Sequence, residues 1–92
     1  MQKLLFVLIS ALSVSSVAQN RIPILFDTDF AMPPQDDSLA LMLALQSSEL
    51  EIFGITTVAG NDSVERATSD VLRMLEIANQ PEIPVHIGAD MP

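Results

Sequence analysis

Apolar residues along the chain come in short blocks whose spacing alternates between that of strands and that of helices. Residues 22–26 and 50–58 are short runs of mainly apolar residues without alternation. Such strands are apolar on both faces, which is typical of a parallel sheet. Residues 36–46 are apolar almost all round, which predicts a buried helix. Apolar positions recur at helical spacing through residues 64–78, and residues 83–87 have the pattern of a third strand.

This order of strand, helix, strand, helix and strand predicts an α/β fold with parallel strands and right-handed crossovers. It is the β-α-β-α-β portion of a Rossmann-like, doubly wound sheet. Asp62 and Glu65 predict a variant capping box at the start of the second helix, and Asn79 and Pro81 predict its end. Because three parallel strands leave two unpaired sheet edges, we expect residues 19–92 to be part of a larger domain.

The first 18 residues have the pattern of a secretory signal peptide. Lys3 precedes an apolar stretch at residues 4–12, and Ser16-Val17-Ala18 fits the small residues of a cleavage site. The stretch is shorter than the about 20 residues of a membrane span. We expect a secreted, extracellular protein without stable membrane association after cleavage; a membrane anchor or a buried first helix is the alternative.

The charge of the chain argues against nucleic acid and anionic membrane surfaces as partners. Twelve acidic residues stand against four basic ones, giving a formal net charge of −8. Phosphate backbones are bound through clusters of Lys and Arg, and this sequence has no such cluster. Cysteine is absent as well, so a secreted domain of this kind relies on its core or on a bound metal for stability.

Four aspartates flank the segment between the first strand and the first helix. Asp27 and Asp29 are predicted just past the end of the strand, and Asp36 and Asp37 in the first turn of the helix. Ligands of parallel sheets bind at this edge, and a divalent cation such as calcium relieves the repulsion between converging carboxylates. Spacing alone leaves a second interpretation equally open, in which these acids cap the helix and solvate a loop.

The aspartates are part of a longer pattern that resembles the inosine-uridine-preferring nucleoside hydrolase family. Its segments are Asp27-Thr28-Asp29, the run Asp36–Leu41, Glu49-Leu50-Glu51-Ile52, the run Gly54–Asn61 and a similar third strand at residues 83–89. The resemblance spans residues 22–92 and includes one departure. The family usually has a shorter link between its second and third aspartates, whereas the six residues 30–35 intervene here.

The resemblance implies a nucleoside hydrolase that uses a calcium-bound water to cleave the N-glycosidic bond of small ribonucleosides, giving ribose and free base. By position in the motif, Asp29 corresponds to a metal-binding general base and Asp37 to a second calcium ligand. Asp36 and Asn61 correspond to ribose-contacting residues. Asp27 corresponds to an acid that supports these groups without binding the metal itself.

The family draws further site groups from segments beyond residue 92. These are another metal-binding aspartate, a backbone carbonyl ligand and a histidine for the leaving group. We therefore expect this chain alone to be inactive. Full-length relatives are expected to be homo-oligomeric.

Two other functions compete with this interpretation. The pair Asp27-x-Asp29 after a strand also opens haloacid dehalogenase-like phosphatases, although Ala31 stands where that family has Thr or Val. The chain is otherwise a secreted, non-catalytic fragment that binds metal or ribose weakly. Asn61-Asp62-Ser63 is also a glycosylation sequon, which we rank below ligand contact. The single histidine, His86, is expected to be a packed or edge residue rather than a catalyst.

Overall fold

The computed structural model describes residues 20–91, which form three strands and two helices in the predicted order. The predicted signal segment, residues 1–18, lies outside the described residues. The first strand extends two residues further than predicted, and the third begins two residues later. The elements are β1 (Ile22–Thr28), α1 (Asp36–Gln46), β2 (Leu50–Thr57), α2 (Val64–Ile77) and β3 (Val85–Ile87).

The three strands form one parallel sheet in the order β1-β2-β3. Thr28 at the end of β1 lies opposite Thr57 at the end of β2, and Thr57 in turn pairs with Ile87 of β3. Both crossovers step in the same direction across the sheet. Right-handed crossovers then place α1 and α2 on the same face, and the α/β prediction is confirmed.

The core lies between this face of the sheet and the two helices. Leu41 of α1, Ile55 of the central strand and Leu75 of α2 belong to one cluster and are at most 1% exposed. Val71 of α2 and Phe30 of the β1–α1 loop also belong to it, at 0% exposure. The amphipathic spacing of α2 therefore turns one stripe of the helix onto the sheet.

The prediction that α1 is buried all round is wrong for the described residues. Its buried positions are Ser38, Leu41 and Ala44, which lie three apart and so share one side of the helix. Leu39 and Leu43 on the other side are 51% and 74% exposed. An apolar composition shows that a helix can be buried, but the number of covered sides depends on its neighbours.

The second face of the sheet is likewise open among residues 20–91, although the apolar strands predicted cover on both faces. Leu25 of β1 and Phe53 of β2 point to it and are 75% and 57% exposed. Neither helix of the described part of the chain is long and apolar enough to span a bilayer.

The start of α2 differs from the predicted capping box. Ser63 is the N-cap, and its hydroxyl accepts the backbone N–H of Arg66 at 3.2 Å. Asp62 accepts the N–H of Ser63 at 2.8 Å and forms an ion pair with the Arg66 side chain at 3.7 Å. Ser63 takes the cap because its backbone is extended and its oxygen lies three residues before the donor. The predicted stop at Asn79 is confirmed by its left-handed φ of 58°.

We predict that Phe30→Ala lowers the free energy of unfolding of the full-length gene product by about 3–5 kcal/mol, because it empties a fully buried aromatic site. Chemical denaturation followed by circular dichroism measures this loss. Arg73→Ala, on the exposed side of α2, is the control and should change stability by less than about 0.5 kcal/mol. Equal midpoints for the two variants would contradict the assigned core.

Candidate functional site

The predicted site residues occupy the carboxyl edge of the sheet. They lie at the end of β1, in the segment after it, in the first turn of α1 and in the turn after β2. Because Thr28 and Thr57 are register partners in a parallel pair, the chain leaves both strands at the same level. The segments that begin at Asp29 and at Val58 therefore run side by side, 29 residues apart in sequence.

Asp29 and Asn61 are in direct contact at this edge. The backbone N–H of Asn61 donates to Oδ2 of Asp29 at 3.2 Å, and its side-chain Nδ2 donates to the Asp29 carbonyl oxygen at 3.2 Å. Gly60 makes this approach possible, because a Cβ at that position would lie 2.5 Å from Oδ2 of Asp29. The turn after β2 thus orients the Asp29 carboxylate through one of its two oxygens.

Asp37 is held from the sheet. The hydroxyl of Thr28 donates to Oδ2 of Asp37 at 2.6 Å, and Thr28 is only 3% exposed. The backbone N–H of Asp37 donates to the Oε1 of Gln35, the N-cap of α1, at 3.1 Å. The amino end of a helix favours negative charge, so the carboxylate is stable there.

Asp36 is exposed at the first position of α1. Its Oδ1 also accepts the backbone N–H of Asp37, at 3.1 Å. One oxygen of Asp36 is thereby engaged with the helix start, while the side chain as a whole faces outward. Asp36 thus combines the local helix-capping role that spacing allows with access from solution.

The prediction that four carboxylates converge after the first strand is wrong. Asp27 lies inside β1 and accepts a hydrogen bond from the hydroxyl of its register partner Thr56 at 2.7 Å. Successive side chains of a strand point to opposite faces, so Asp27 lies on the open face and Thr28, with its Asp37 partner, on the covered face. Among residues 20–91, no three His, Cys, Asp or Glu residues are arranged to hold a metal.

The long segment between the aspartate pairs is anchored at both ends. Phe30 is fully buried in the core, and Met32 packs against that core. The N–H of Gln35 donates to the Met32 carbonyl at 3.4 Å, and the Gln35 carbonyl accepts from the Ser38 hydroxyl at 2.6 Å. Phe30 and Met32 therefore have a packing role.

Three positioning residues were not identified from the sequence, namely Thr28, Gln35 and Gly60. The alternation of sides in β1 could have indicated that Thr28 faces the helices. The position of Gln35 before an apolar helix could have indicated a cap, although Gln is not among the preferred N-cap residues. His86 is exposed on β3, and no described contact brings it to the aspartates.

The donor set fits calcium as one part of a site. Carboxylate oxygens are the ligands that this ion prefers, and it takes about 6–8 of them. Asp29 and Asp37 each have Oδ2 bound to a protein donor, and no hydrogen-bond donor within residues 20–91 reaches Oδ1 of either. Two oriented carboxylates with an unengaged oxygen can bind a cation, provided that other oxygens complete its coordination.

We predict that Gly60→Ala lowers the free energy of unfolding by about 1–3 kcal/mol, because the new methyl group overlaps the Asp29 carboxylate. Thermal denaturation of the full-length gene product measures the change. The matched control is Gly54→Ala, whose Cβ would meet Leu25 and Pro84 only at 3.6 Å. If both variants melt at the wild-type temperature, the close contact between Gly60 and Asp29 is absent from the protein.

Comparisons with known proteins identify the family of the chain. Residues 24–92 match the family model described as inosine-uridine preferring nucleoside hydrolase. The pyrimidine-specific ribonucleoside hydrolase RihA of Klebsiella pneumoniae is 48% identical over 71 residues, 77% of this chain and 22% of the relative. An uncharacterized protein of Schizosaccharomyces pombe is 46% identical over 69 residues, 75% of this chain and 21% of the relative. The chain spans about a fifth of the length of these curated relatives, and it belongs to the inosine-uridine preferring nucleoside hydrolase family.

Proposed function

We propose that the full-length gene product hydrolyses the N-glycosidic bond of ribonucleosides with the help of calcium, releasing ribose and a free base. The observation that carries the proposal is the contact between Asp29 and Asn61, which joins two distant parts of the family motif at the carboxyl edge of the sheet. Asp37 is held at the same edge by Thr28. The RihA relatives are named as ribonucleoside hydrolases, which supports the substrate class.

In this proposal Asp29 and Asp37 bind the calcium ion. When bound, the ion would supply a positioned water with a lowered pKa. Asp29 would also act as the general base, because its carboxylate is held by Asn61 at one oxygen and has no protein donor among the described residues at the other. Asn61 fixes the direction of that oxygen by holding Oδ2.

Asn61 and Asp36 are proposed to bind the ribose hydroxyls. Since Nδ2 of Asn61 already donates to the Asp29 carbonyl, its side-chain oxygen is left to accept a hydrogen bond from the sugar. Asp36 is exposed and can accept a second one. Negative charge beside the ribosyl ring also stabilises the positive charge that develops as the bond to the base breaks.

Asp27 has a supporting role in the proposal. It lies on the open face of the sheet and bonds Thr56 of the neighbouring strand. This contact ties β1 to β2 one residue before their carboxyl ends. The distance between Asp29 and the Gly60-Asn61 turn depends on that pairing.

The net charge and the family also bear on partners and location. A net charge of −8 suits phosphate-free nucleosides and disfavours nucleic acid as a ligand. We propose that the protein is secreted through its first 18 residues and acts as a homo-oligomer in nucleoside breakdown. Calcium needs about 6–8 oxygens, so water or other protein groups must add to the two carboxylates.

Membership of the family supports nucleoside hydrolase over phosphatase, the other enzyme class that the pair of aspartates after a strand left open. The remaining alternative is a protein that binds calcium or ribose without turnover. It is separated from the proposal by the two experiments that follow.

We predict that Asp29→Asn lowers hydrolysis of inosine and uridine by about 10²–10⁴-fold, the contribution of a general base. Release of reducing sugar by the full-length gene product measures turnover, and circular dichroism checks that the fold is kept. Glu51→Gln, an exposed acid near the start of β2, is the matched control and should retain wild-type activity. Wild-type rates for Asp29→Asn would refute the assigned base.

Removal of calcium provides an independent test. We predict that a calcium chelator abolishes nucleoside hydrolysis and lowers the melting temperature, because an ion bound only by the folded state stabilises it. Added calcium should restore both quantities. Activity that persists after complete chelation would contradict the calcium requirement, and calcium binding without any turnover would support the non-catalytic alternative.

A further inference from the structure

We propose that Thr28 is a positioning residue that orients Asp37 for calcium binding. This inference rests on the proposed function, because it assigns a role within the same site. Thr28 is the last residue of β1 and Asp37 lies in the first turn of α1. Their side chains are joined by a hydrogen bond of 2.6 Å from the hydroxyl to Oδ2.

This hydrogen bond is short, and its donor, the Thr28 hydroxyl, has little access to any other acceptor. A distance of 2.6 Å falls in the range of an O–H donating to an ionised carboxylate, which is among the stronger hydrogen bonds in proteins. Thr28 is 3% exposed, so water has little access to its hydroxyl. A hydroxyl has a single proton to donate, and in Thr28 that proton goes to Asp37.

The contact determines how Asp37 can be used. With Oδ2 engaged by Thr28, Oδ1 has no protein donor among residues 20–91 and is left for a ligand. A carboxylate that is already held in one rotamer loses less conformational entropy when it binds an ion. Groups behind a metal ligand commonly act in this way and raise the affinity of the site.

The contact also makes Asp37 less dependent on the long segment before it. Six residues separate Asp29 from Asp36, and a flexible link of that length would let the start of α1 shift relative to the sheet. The hydrogen bond from Thr28 connects the start of α1 directly to the sheet. The position of Asp37 is therefore fixed relative to the rigid strand β1.

A purely structural role is the competing explanation, since any buried hydroxyl must find a partner. Thr57 provides the matched comparison because it is the register partner of Thr28 and is 1% exposed. Its hydroxyl lies 2.7 Å from that of Thr68 on α2, a neutral partner. Loss of either hydroxyl removes one buried hydrogen bond, but only loss of the Thr28 hydroxyl frees a proposed calcium ligand.

The test compares Thr28→Val, Thr28→Ser and Thr57→Val in the full-length gene product. Calorimetric titration with calcium chloride gives the Kd, and thermal denaturation with and without calcium gives the stabilisation by the ion. We expect Thr28→Val to bind calcium roughly 10–100-fold more weakly, as loss of a group behind a metal ligand does. Thr28→Ser keeps the hydroxyl and should bind as the wild type does, as should Thr57→Val.

Turnover adds a second readout. Hydrolysis by Thr28→Val should fall at limiting calcium and recover at saturating calcium, because the reacting groups are intact. If Thr28→Val does not fold, Thr28→Cys replaces it, since a thiol of similar size is a weak donor. A stabilisation loss shared with Thr57→Val, at an unchanged calcium Kd, would overturn the inference and leave the proposed function standing. A wild-type protein that binds no calcium would overturn both.

Discussion

The parallel pairing of β1 with β2 is the constraint on which the candidate site depends. It sets Thr28 opposite Thr57, so that Asp29 and the turn at Gly60-Asn61 leave the sheet at one level. The contact between Asp29 and Asn61 follows from that register and from the missing side chain at position 60. A register slip of one residue would exchange the faces of every side chain in the strand, and Asp37 would lose its partner.

The alternation of sides along β1 divides the Asp-Thr-Asp motif between three surroundings. Asp27 faces the open side and bonds Thr56, and Thr28 faces the helices and bonds Asp37. Asp29 lies past the strand and meets Asn61. Consecutive residues thus act on β2, on α1 and on the turn after β2, which explains why a short motif can organise a site built from distant segments.

The order and type of all five elements could be predicted from the sequence, because short apolar runs indicated the strands, and a longer apolar run and a helical spacing of apolar residues indicated the two helices. The ends of the elements and the contacts between them were harder to predict. Asp27 and Thr28 are polar and looked like loop residues, yet the ladder continues through them because Thr56 and Thr57 offer partners. Ser63 rather than Asp62 is the N-cap of α2 because its backbone is extended, and the sequence alone does not show that conformation.

For the candidate site as well, the general location of residues could be predicted, whereas their contacts could not. The motif located Asp29, Asp37 and Asn61 at the carboxyl edge because parallel strands share that edge. The expected convergence of four carboxylates failed because it treated Asp27 as a loop residue with a free direction. The Thr28–Asp37 contact joins residues nine apart through a helix packed on the sheet, and local sequence rules describe only neighbours on one element.

The long segment between the aspartate pairs is held by the rest of the structure at both of its ends. Its first residue, Phe30, is buried in the core, and its last, Gln35, caps α1. Asp29 is fixed by the turn after β2, and Asp37 by the end of β1. Both carboxylates are thus held in position relative to the sheet, which is the rigid part of the fold. The path of the chain between Phe30 and Gln35 can therefore differ while Asp29 and Asp37 keep the contacts that hold them at the carboxyl edge of the sheet.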